Sequence, residues 1–329
     1  MKLDIIVPRY KEPWELCRYL FDTISTQRGV PRVNYRVIVV NDGDEDVLDE
    51  SVFSGYPYEI EYLVKPHGGV SDTRNYGLRY SDADYVMFCD ADDGFLNNYA
   101  LHLIFGAMQE GFDFLCSKFI EETYTENGTI TIVSHDKDMT FMHGKVYRRE
   151  WLLENEIVFD PAMTVHEDGY FNSMAYTTAL HDGKVKFIET PIYLWRWNDN
   201  SVVRRDKKDF VLKTYEEVIR TRIGTCEQFK KRGYEQDYRT AVMMTFLNSY
   251  YDFQKTSYHT KENREYLVKA EQAFKKYFVK YKKVFYDCTN QDIAEVAHFA
   301  RENAYKNGLL MEMQDLKSWL KHIDREVLL

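Results

Sequence analysis

The chain has 329 residues, 44% hydrophobic and 29% charged, with a formal net charge of −10. That length and balance suit one large or two ordinary globular domains with a sizeable core, and exclude a disordered or collagen-like chain. No apolar run approaches ~18 residues and no basic-plus-apolar leader precedes the first strand-like run, so a soluble, cytoplasmic protein is expected, without a transmembrane segment.

Leu3–Val7 reads as a strand stopped by Pro8, Trp14–Thr26 as a helix, Tyr35–Val40 as a strand ended by Asn41-Asp42-Gly43, and Ile60–Val64 as another strand. After a loop at Lys65–Val70, Ser71–Tyr80 reads as a helix and Tyr85–Cys89 as a buried strand. Strand, helix, strand, repeated, implies a parallel sheet with right-handed crossovers. Ala100–Gln109 is helical, Phe114–Thr123 and Thr129–Ser134 form a hairpin around Asn127-Gly128, and Lys186–Trp197 is strand-like. From about residue 206 glycine, proline and β runs thin out. Helical spacing then runs through Phe210–Arg232, Tyr238–Gln254, Lys261–Tyr281, Asn290–Asn307 and Leu310–Leu328. A separate all-helical module over 206–329 follows a first domain at 1–205.

The charge divides the same way. Residues 1–205 hold 20 Lys+Arg against 34 Asp+Glu, net −14, whereas 206–329 hold 23 against 19, net +4. An acidic half repels polyanions unless a cation intervenes; the basic half, with Lys269, Lys275, Lys276, Lys280, Lys282 and Lys283 close together, suits an anionic partner or is a solvated helix face. Five scattered cysteines without C-x-x-C spacing point to neither a zinc site nor a disulfide framework.

The densest chemical signal is Asp90-Ala91-Asp92-Asp93, directly after the apolar run Tyr85–Cys89. In open α/β sheets the carboxyl ends of strands are where ligands bind. Two acids at i and i+2 can turn toward one hard cation, and oxygen ligands suit Mg²⁺ or Mn²⁺. An acidic turn capping the next helix is the other reading of the same residues.

Five segments together resemble the family 2 glycosyltransferases, the nucleotide-sugar enzymes of GT-A fold: Ile5-Ile6-Val7-Pro8-Arg9-Tyr10, Val39-Val40-Asn41-Asp42-Gly43, Gly69-Val70-Ser71-Asp72-Thr73-Arg74-Asn75, Asp90-Ala91-Asp92-Asp93 and His166-Glu167-Asp168. The resemblance spans residues 3–205. It implies an α/β, Rossmann-like, mixed and mainly parallel sheet flanked by helices, and an inverting, metal-assisted hexosyltransferase using a nucleotide-sugar donor, a UDP-sugar favoured, with Mn²⁺ or Mg²⁺. By that resemblance Pro8 and Tyr10 wall the nucleobase, Asp42 accepts from base or ribose, Asp90 faces the ribose and metal, Asp92 binds the metal, and Asp93 supports or caps. Arg74 lies beside the nucleotide or in a structural ion pair.

The resemblance also makes Asp168 the base that takes the acceptor's proton, with Glu167 beside it; two acids opening a helix read the same way. His143 could reach metal, phosphate or sugar, or be structural. Arg196 and Ser201, with Arg204 and Arg205 following, belong to a segment like the loop that closes over the diphosphate. Arg9, Lys11, Asn41 and Asp44 depart from the family's common residues. The acceptor that the resemblance implies is a polysaccharide or wall polymer, with modified DNA bases as an alternative. A peripheral membrane contact and a homo-oligomer stay open. A nucleotidyltransferase fits less well because Pro8–Pro13 has no glycine, and a non-catalytic sugar-binding protein would be expected to lack the acids.

Overall fold

A computed structural model describes residues 1–45, 47–125, 127–199, 201, 209–306 and 321–324. The chain divides into two compact units, Met1–Asp199 and Asn200–Leu329. The expected boundary at 205/206 lies outside the described residues, as does all of the last expected helix except 321–324.

The first unit is built on strands β1 (Leu3–Arg9), β2 (Tyr35–Asn41), β3 (Glu59–Val64), β4 (Tyr85–Phe88), β5 (Gly94–Phe95), β6 (Phe114–Tyr124), β7 (Ile130–His135), β8 (Lys145–Arg148) and β9 (Val185–Trp195). Its helices are α1 (Trp14–Ser25), α2 (Gly69–Tyr80), α3 (Ala100–Glu110), α4 (Arg149–Glu154) and α5 (Glu167–Asp182). The nine strands join in one sheet, ordered β3-β2-β1-β4-β8-β6-β9-β5, with β7 on β6. Strands β3, β2, β1 and β4 are mutually parallel; β8 runs antiparallel between β4 and β6, and β9 is parallel to β6. This is the α/β, mainly parallel arrangement expected.

The central strands read as continuous apolar runs because they are covered on both faces. In β1, Leu3, Ile5, Ile6 and Val7 are all fully buried. Helix α1 packs on one face through Cys17, Leu20, Phe21 and Ile24, spaced i, i+3, i+4, i+7. Because β1 lies between β2 and β4, the chain order reverses there. The carboxyl ends of β1, β2 and β4 consequently open onto one crevice.

Several elements differ from the expectation. Pro8 does not stop β1, which continues to Arg9 and pairs Pro8 with Val40. The backbone of Ile6 faces β4, where its carbonyl accepts from Cys89 N, so Pro8, two residues on, points its missing N–H to the same side, beyond the last β1–β4 pair at Ile6/Phe88. Nothing is lost from the ladder. Strands β5 and β8 and helix α4 were not foreseen, being two to six residues long. Strand β9 contains a register shift between Ser117 and Phe119 of its partner, and Pro191 falls in the extra loop of chain.

The second unit is helical: α6 (Phe210–Lys213), α7 (Tyr215–Lys231), α8 (Glu235–Asp252), α9 (Arg264–Asp287) and α10 (Asn290–Lys306). The expected single helix Phe210–Arg232 is broken at Thr214, whose φ of −105° leaves the helical range. Helix α9 buries Ala270, Ala273, Phe274, Tyr277, Phe278, Tyr281 and Phe285, and Phe246 of α8 meets Phe274, Tyr277, Phe278 and Phe285 with ring centres 5.1–6.0 Å away. The lysine cluster on α9 is partly neutralised: Lys280 pairs with Glu227, Lys282 with Asp324 and Lys269 with Glu265. No helix among the described residues is long and apolar enough to cross a membrane.

Two helical glycines make opposite predictions. A Cβ on Gly77 of α2 would stand 2.5 Å from Ile6 Cγ2, whereas one on Gly106 of α3 meets nothing within 4 Å. Gly77→Val should destabilise by about 2 kcal/mol or more through overpacking, and Gly106→Ala should stabilise by about 0.5–1 kcal/mol. Chemical denaturation midpoints at constant slope check both signs.

Candidate active site

The site begins with the polar stripe on α2. Ser71, Arg74, Asn75 and Leu78 are buried at i, i+3, i+4, i+7. Ser71 Oγ donates to the Met163 carbonyl (3.0 Å); Asn75 Nδ2 donates to the Phe159 carbonyl (2.8 Å) while its Oδ1 accepts from Phe159 N (3.0 Å). These bonds clamp the 159–163 segment to α2, and Phe159 then stacks on Phe171 of α5, ring centres 4.0 Å apart. Sequence-distant α5 is thereby held over the crevice.

Arg74 lies at the centre of that clamp, 3% exposed. Its Nη1 donates to Glu167 Oε1 (2.9 Å) and Asp168 Oδ1 (2.6 Å), and its Nη2 to Asp90 Oδ1 (2.9 Å). Burial opposes the guanidinium's charge, and Asp168, Asp90 and Glu167 outweigh burial and keep it protonated. One cation thus joins the turn after β4 to the first turn of α5. His166 enters that turn with a left-handed φ of 63°, and the two acids that follow lie at the positive end of the helix dipole.

The three carboxylates differ in basicity. Burial acts to raise Asp90, but Arg74 brings it below the ordinary value, so it is ionised. Asp168 is pushed well above the ordinary carboxylate value by burial and by Glu167 and Asp90, against the pull of Arg74. Its Oδ2 also accepts from Met142 N at 3.3 Å. A raised carboxyl at the mouth of a crevice is suited to accepting a proton.

Behind Asp90 the turn is pinned to the end of β9. Asp93, 1% exposed, accepts from Tyr193 Oη (2.7 Å) on Oδ2 and from Arg196 N (2.9 Å) on Oδ1. Burial and the neighbouring Asp92 and Asp90 push its carboxyl well up. Arg196 Nη1 donates to the Asp92 carbonyl (3.2 Å) and its guanidinium lies 4.0 Å from the Tyr19 ring centre; Asn198 Nδ2 donates to Asp92 Oδ2 (2.7 Å). The expectation grouped Asp92 and Asp90 with His143 as metal ligands. Among the described residues the donor atoms of Asp90, Asp93 and His143 come within 4.8 Å of one another, and Asp92 belongs to the same turn.

His143 is enclosed by Tyr193, Phe141, Trp195 and Phe119, with ring centres 4.8–5.6 Å away. Burial lowers its pKa to about 3, so the imidazole is neutral, and its Nδ1 has no hydrogen-bond partner among the described residues, 3.6 Å from Asp93 Oδ2. Carboxylate oxygens with one neutral, orphaned imidazole fit a divalent cation.

The other side of the crevice carries Pro8 and Tyr10 at the end of β1 and Asp42 at the end of β2. Asp42 accepts from Lys65 Nζ (2.6 Å), Gly68 N (2.9 Å) and Gly69 N (2.8 Å), which outweigh burial and keep it ionised. Tyr10 stacks on His67. Ser201 is half-buried and falls in the second unit; Arg204 and Arg205 lie outside the described residues. Sequence reasoning assigned no role to Lys65 or His67 and reached Tyr193 and Asn198 only as part of the segment like the closing loop. Only Lys65, a cation directly after a strand, carried a local signal.

Removing the central cation should leave three acids facing one another. Arg74→Met is expected to cost about 3–5 kcal/mol near neutral pH, the range for an uncompensated buried charge. The depressed Asp90 contributes stability that is present above its unfolded value and lost as pH falls through its folded value, so the gap between wild type and variant should narrow below pH 3.8. Urea unfolding across pH reads the gap; a pH-independent difference contradicts the assignment.

Comparison with known proteins follows the same geometry. Residues 4–163 match Glycosyl transferase family 2. The chain is 30% identical over 214 residues to the uncharacterized glycosyltransferase YwdF of Bacillus subtilis, covering 60% of this chain and 75% of YwdF. It is 22% identical over 279 residues to the poly(ribitol-phosphate) beta-N-acetylglucosaminyltransferase TarS of Staphylococcus aureus, covering 78% of this chain and 45% of TarS. The crystal structure of TarS 1-349 in complex with UDP superposes with a TM-score of 0.60 at 18% identity, covering 95% of this chain and 93% of that one. The mannosyltransferase PcManGT of Pyrobaculum calidifontis, solved with GDP-Man and Mn²⁺, gives a TM-score of 0.51 at 15% identity, over 98% and 84% of the two chains. The chain spans less than two thirds of the length of the first curated relatives it matches. Parallel sheet, switch-point crevice and family match agree, and the chain belongs to glycosyl transferase family 2, with the GT-A fold.

Proposed function

We propose that the protein transfers a sugar from a nucleoside diphosphate sugar, a UDP-sugar, to an acceptor hydroxyl with inversion at the anomeric carbon. The observation that carries this reading is the bridge from Arg74 to Asp90 on one side and to Glu167 and Asp168 on the other. It sets an ionised acid at the strand end opposite a raised acid in the first turn of α5.

In this reading the base lies against Pro8 and Tyr10, with Asp42 and Asp90 toward base and ribose and Arg196 toward the diphosphate. Asp92, Asp90 and His143 would hold Mn²⁺ or Mg²⁺, with Asp93 fixing the turn, because Asp93 already has a bond on each oxygen. The cation supplies charge neutralisation for the departing diphosphate. Asp168 takes the proton from the acceptor hydroxyl as that oxygen attacks the face opposite the diphosphate, and Glu167 and Arg74 fix the plane of the Asp168 carboxylate. A single displacement inverts the configuration. TarS is by name a poly(ribitol-phosphate) beta-N-acetylglucosaminyltransferase and has been solved with UDP-GlcNAc, which makes a polyol-phosphate polymer the first acceptor to test and UDP-GlcNAc the first donor. The net-positive second unit suits such a polyanion.

Asp168→Asn keeps shape and removes basicity; donor affinity should hold while turnover falls by about 10²-fold or more. In the wild type the rate should fall with acid at a pH above the ordinary Asp value of 3.8, because the base must be unprotonated and its pKa is raised. Rates at saturating donor across pH test this, and an α-linked product from an α-linked donor would sink the inverting mechanism. Asp92→Ala should remove the Mn²⁺ dependence of UDP binding while unfolding stays cooperative. Unchanged metal dependence by titration calorimetry counts against Asp92.

A further inference from the structure

The loop between β3 and α2 places an imidazole where the proposed reading puts a nucleobase. His67 Nδ1 lies 2.9 Å from Asp42 Oδ2 and 3.1 Å from the Asp42 carbonyl oxygen. Both partners only accept, so Nδ1 carries the hydrogen. The face of the same ring stacks on Tyr10, ring centres 4.5 Å apart and planes 24° apart. A planar ring that donates one N–H to Asp42 and lays its face on Tyr10 makes both contacts assigned to the base.

The other bonds on Asp42 belong to the loop's own framework. Lys65 is buried and also pairs with Asp72 at 2.8 Å, and Gly68 and Gly69 donate through the main chain. The main chain of His67 packs closely on Gly43, where an added Cβ would stand 2.5 Å from His67 N. The His67 side chain, by contrast, is 56% exposed and can leave by rotation about its own χ angles. A ring separation of 4.5 Å leaves no room for a base between the two rings, since each stacked contact needs about that distance by itself.

We infer that His67 is an internal stand-in for the nucleobase: its imidazole fills the base subsite in the unliganded protein, and the incoming base displaces it from Tyr10 and Asp42. This rests on the reading that Tyr10 and Asp42 face the base. It also sets the class of base. The ionised Asp42 oxygen that His67 releases has been satisfied by a ring N–H, and uracil, thymine and guanine offer the like, whereas cytosine and adenine can donate only through an exocyclic amine set off the ring.

The test is calorimetric titration of the full chain with UDP and with CDP, at saturating Mn²⁺, in wild type, His67→Ala and Tyr10→Ala. Wild type should favour UDP over CDP. His67→Ala should bind UDP about three- to tenfold tighter, because the competing ring and its bond no longer reduce the fraction of open sites, and should keep the preference for UDP. Equal or weaker UDP binding in His67→Ala overturns the stand-in. Tyr10→Ala separates the two claims: unchanged UDP affinity there removes the base from Tyr10 and sinks the underlying reading, whereas weakened binding there with no gain in His67→Ala sinks only the stand-in. In wild-type protein the His67 Cε1–H resonance should move out of the Tyr10 ring current on saturation with UDP. A stationary resonance overturns the inference independently of any variant.

Discussion

The first unit depends on one buried guanidinium. Arg74 is the sole cation that the described hydrogen bonds place among Asp90, Glu167 and Asp168, and without it three acids would meet in a space of low polarisability. Its geometry is also a measuring device. Two planar nitrogens reach two segments 16 and 93–94 residues away, so the width of the crevice is set by the guanidinium fork rather than by loop packing. The flanking bonds from Ser71 and Asn75 keep α2 from sliding, which holds the fork in place.

A second set of contacts governs the strand-end acids. The Asp90–Asp93 turn is not a free acidic loop; Tyr193 reaches it from β9, with the Tyr193 oxygen accepting from Asp90 N and donating to Asp93. The end of β9 therefore shares its hydrogen bonds with the turn that carries the proposed metal ligands. Any movement of Arg196 and Asn198 away from Asp92 would be felt at Asp92 directly, which links the segment expected to close over the diphosphate to the acids beneath it.

The two sides of the crevice are poised differently. On the helix side the acids are buried and crowded, and burial together with Glu167 and Asp90 raises Asp168 while Arg74 holds Asp90 ionised. On the strand side Asp42 is held ionised by two main-chain amides and by a lysine that it shares with Asp72, so a negative group is kept ready for a donor. The same residue type thus serves two purposes, and environment decides which.

Much of this was legible in the sequence. The alternation of strands and helices to residue 124, the apolar runs of β1, β2 and β4, and the positions of Asp42, Asp90, Asp92, Glu167 and Asp168 at element ends follow from local periodicity and turn chemistry, which depend on neighbours in the chain. The left-out elements, β5, β8 and α4, are too short for a period to show, and the break at Thr214 interrupts a pattern that stays apolar on both sides of it. What only the tertiary structure decided is who meets whom. That Arg74 ties Asp90 to Asp168, that Asp93 lies beside His143, and that His67 sits on Tyr10 all join residues that the chain keeps apart, and such contacts are fixed by sheet order and helix packing, for which a single sequence carries no local signal.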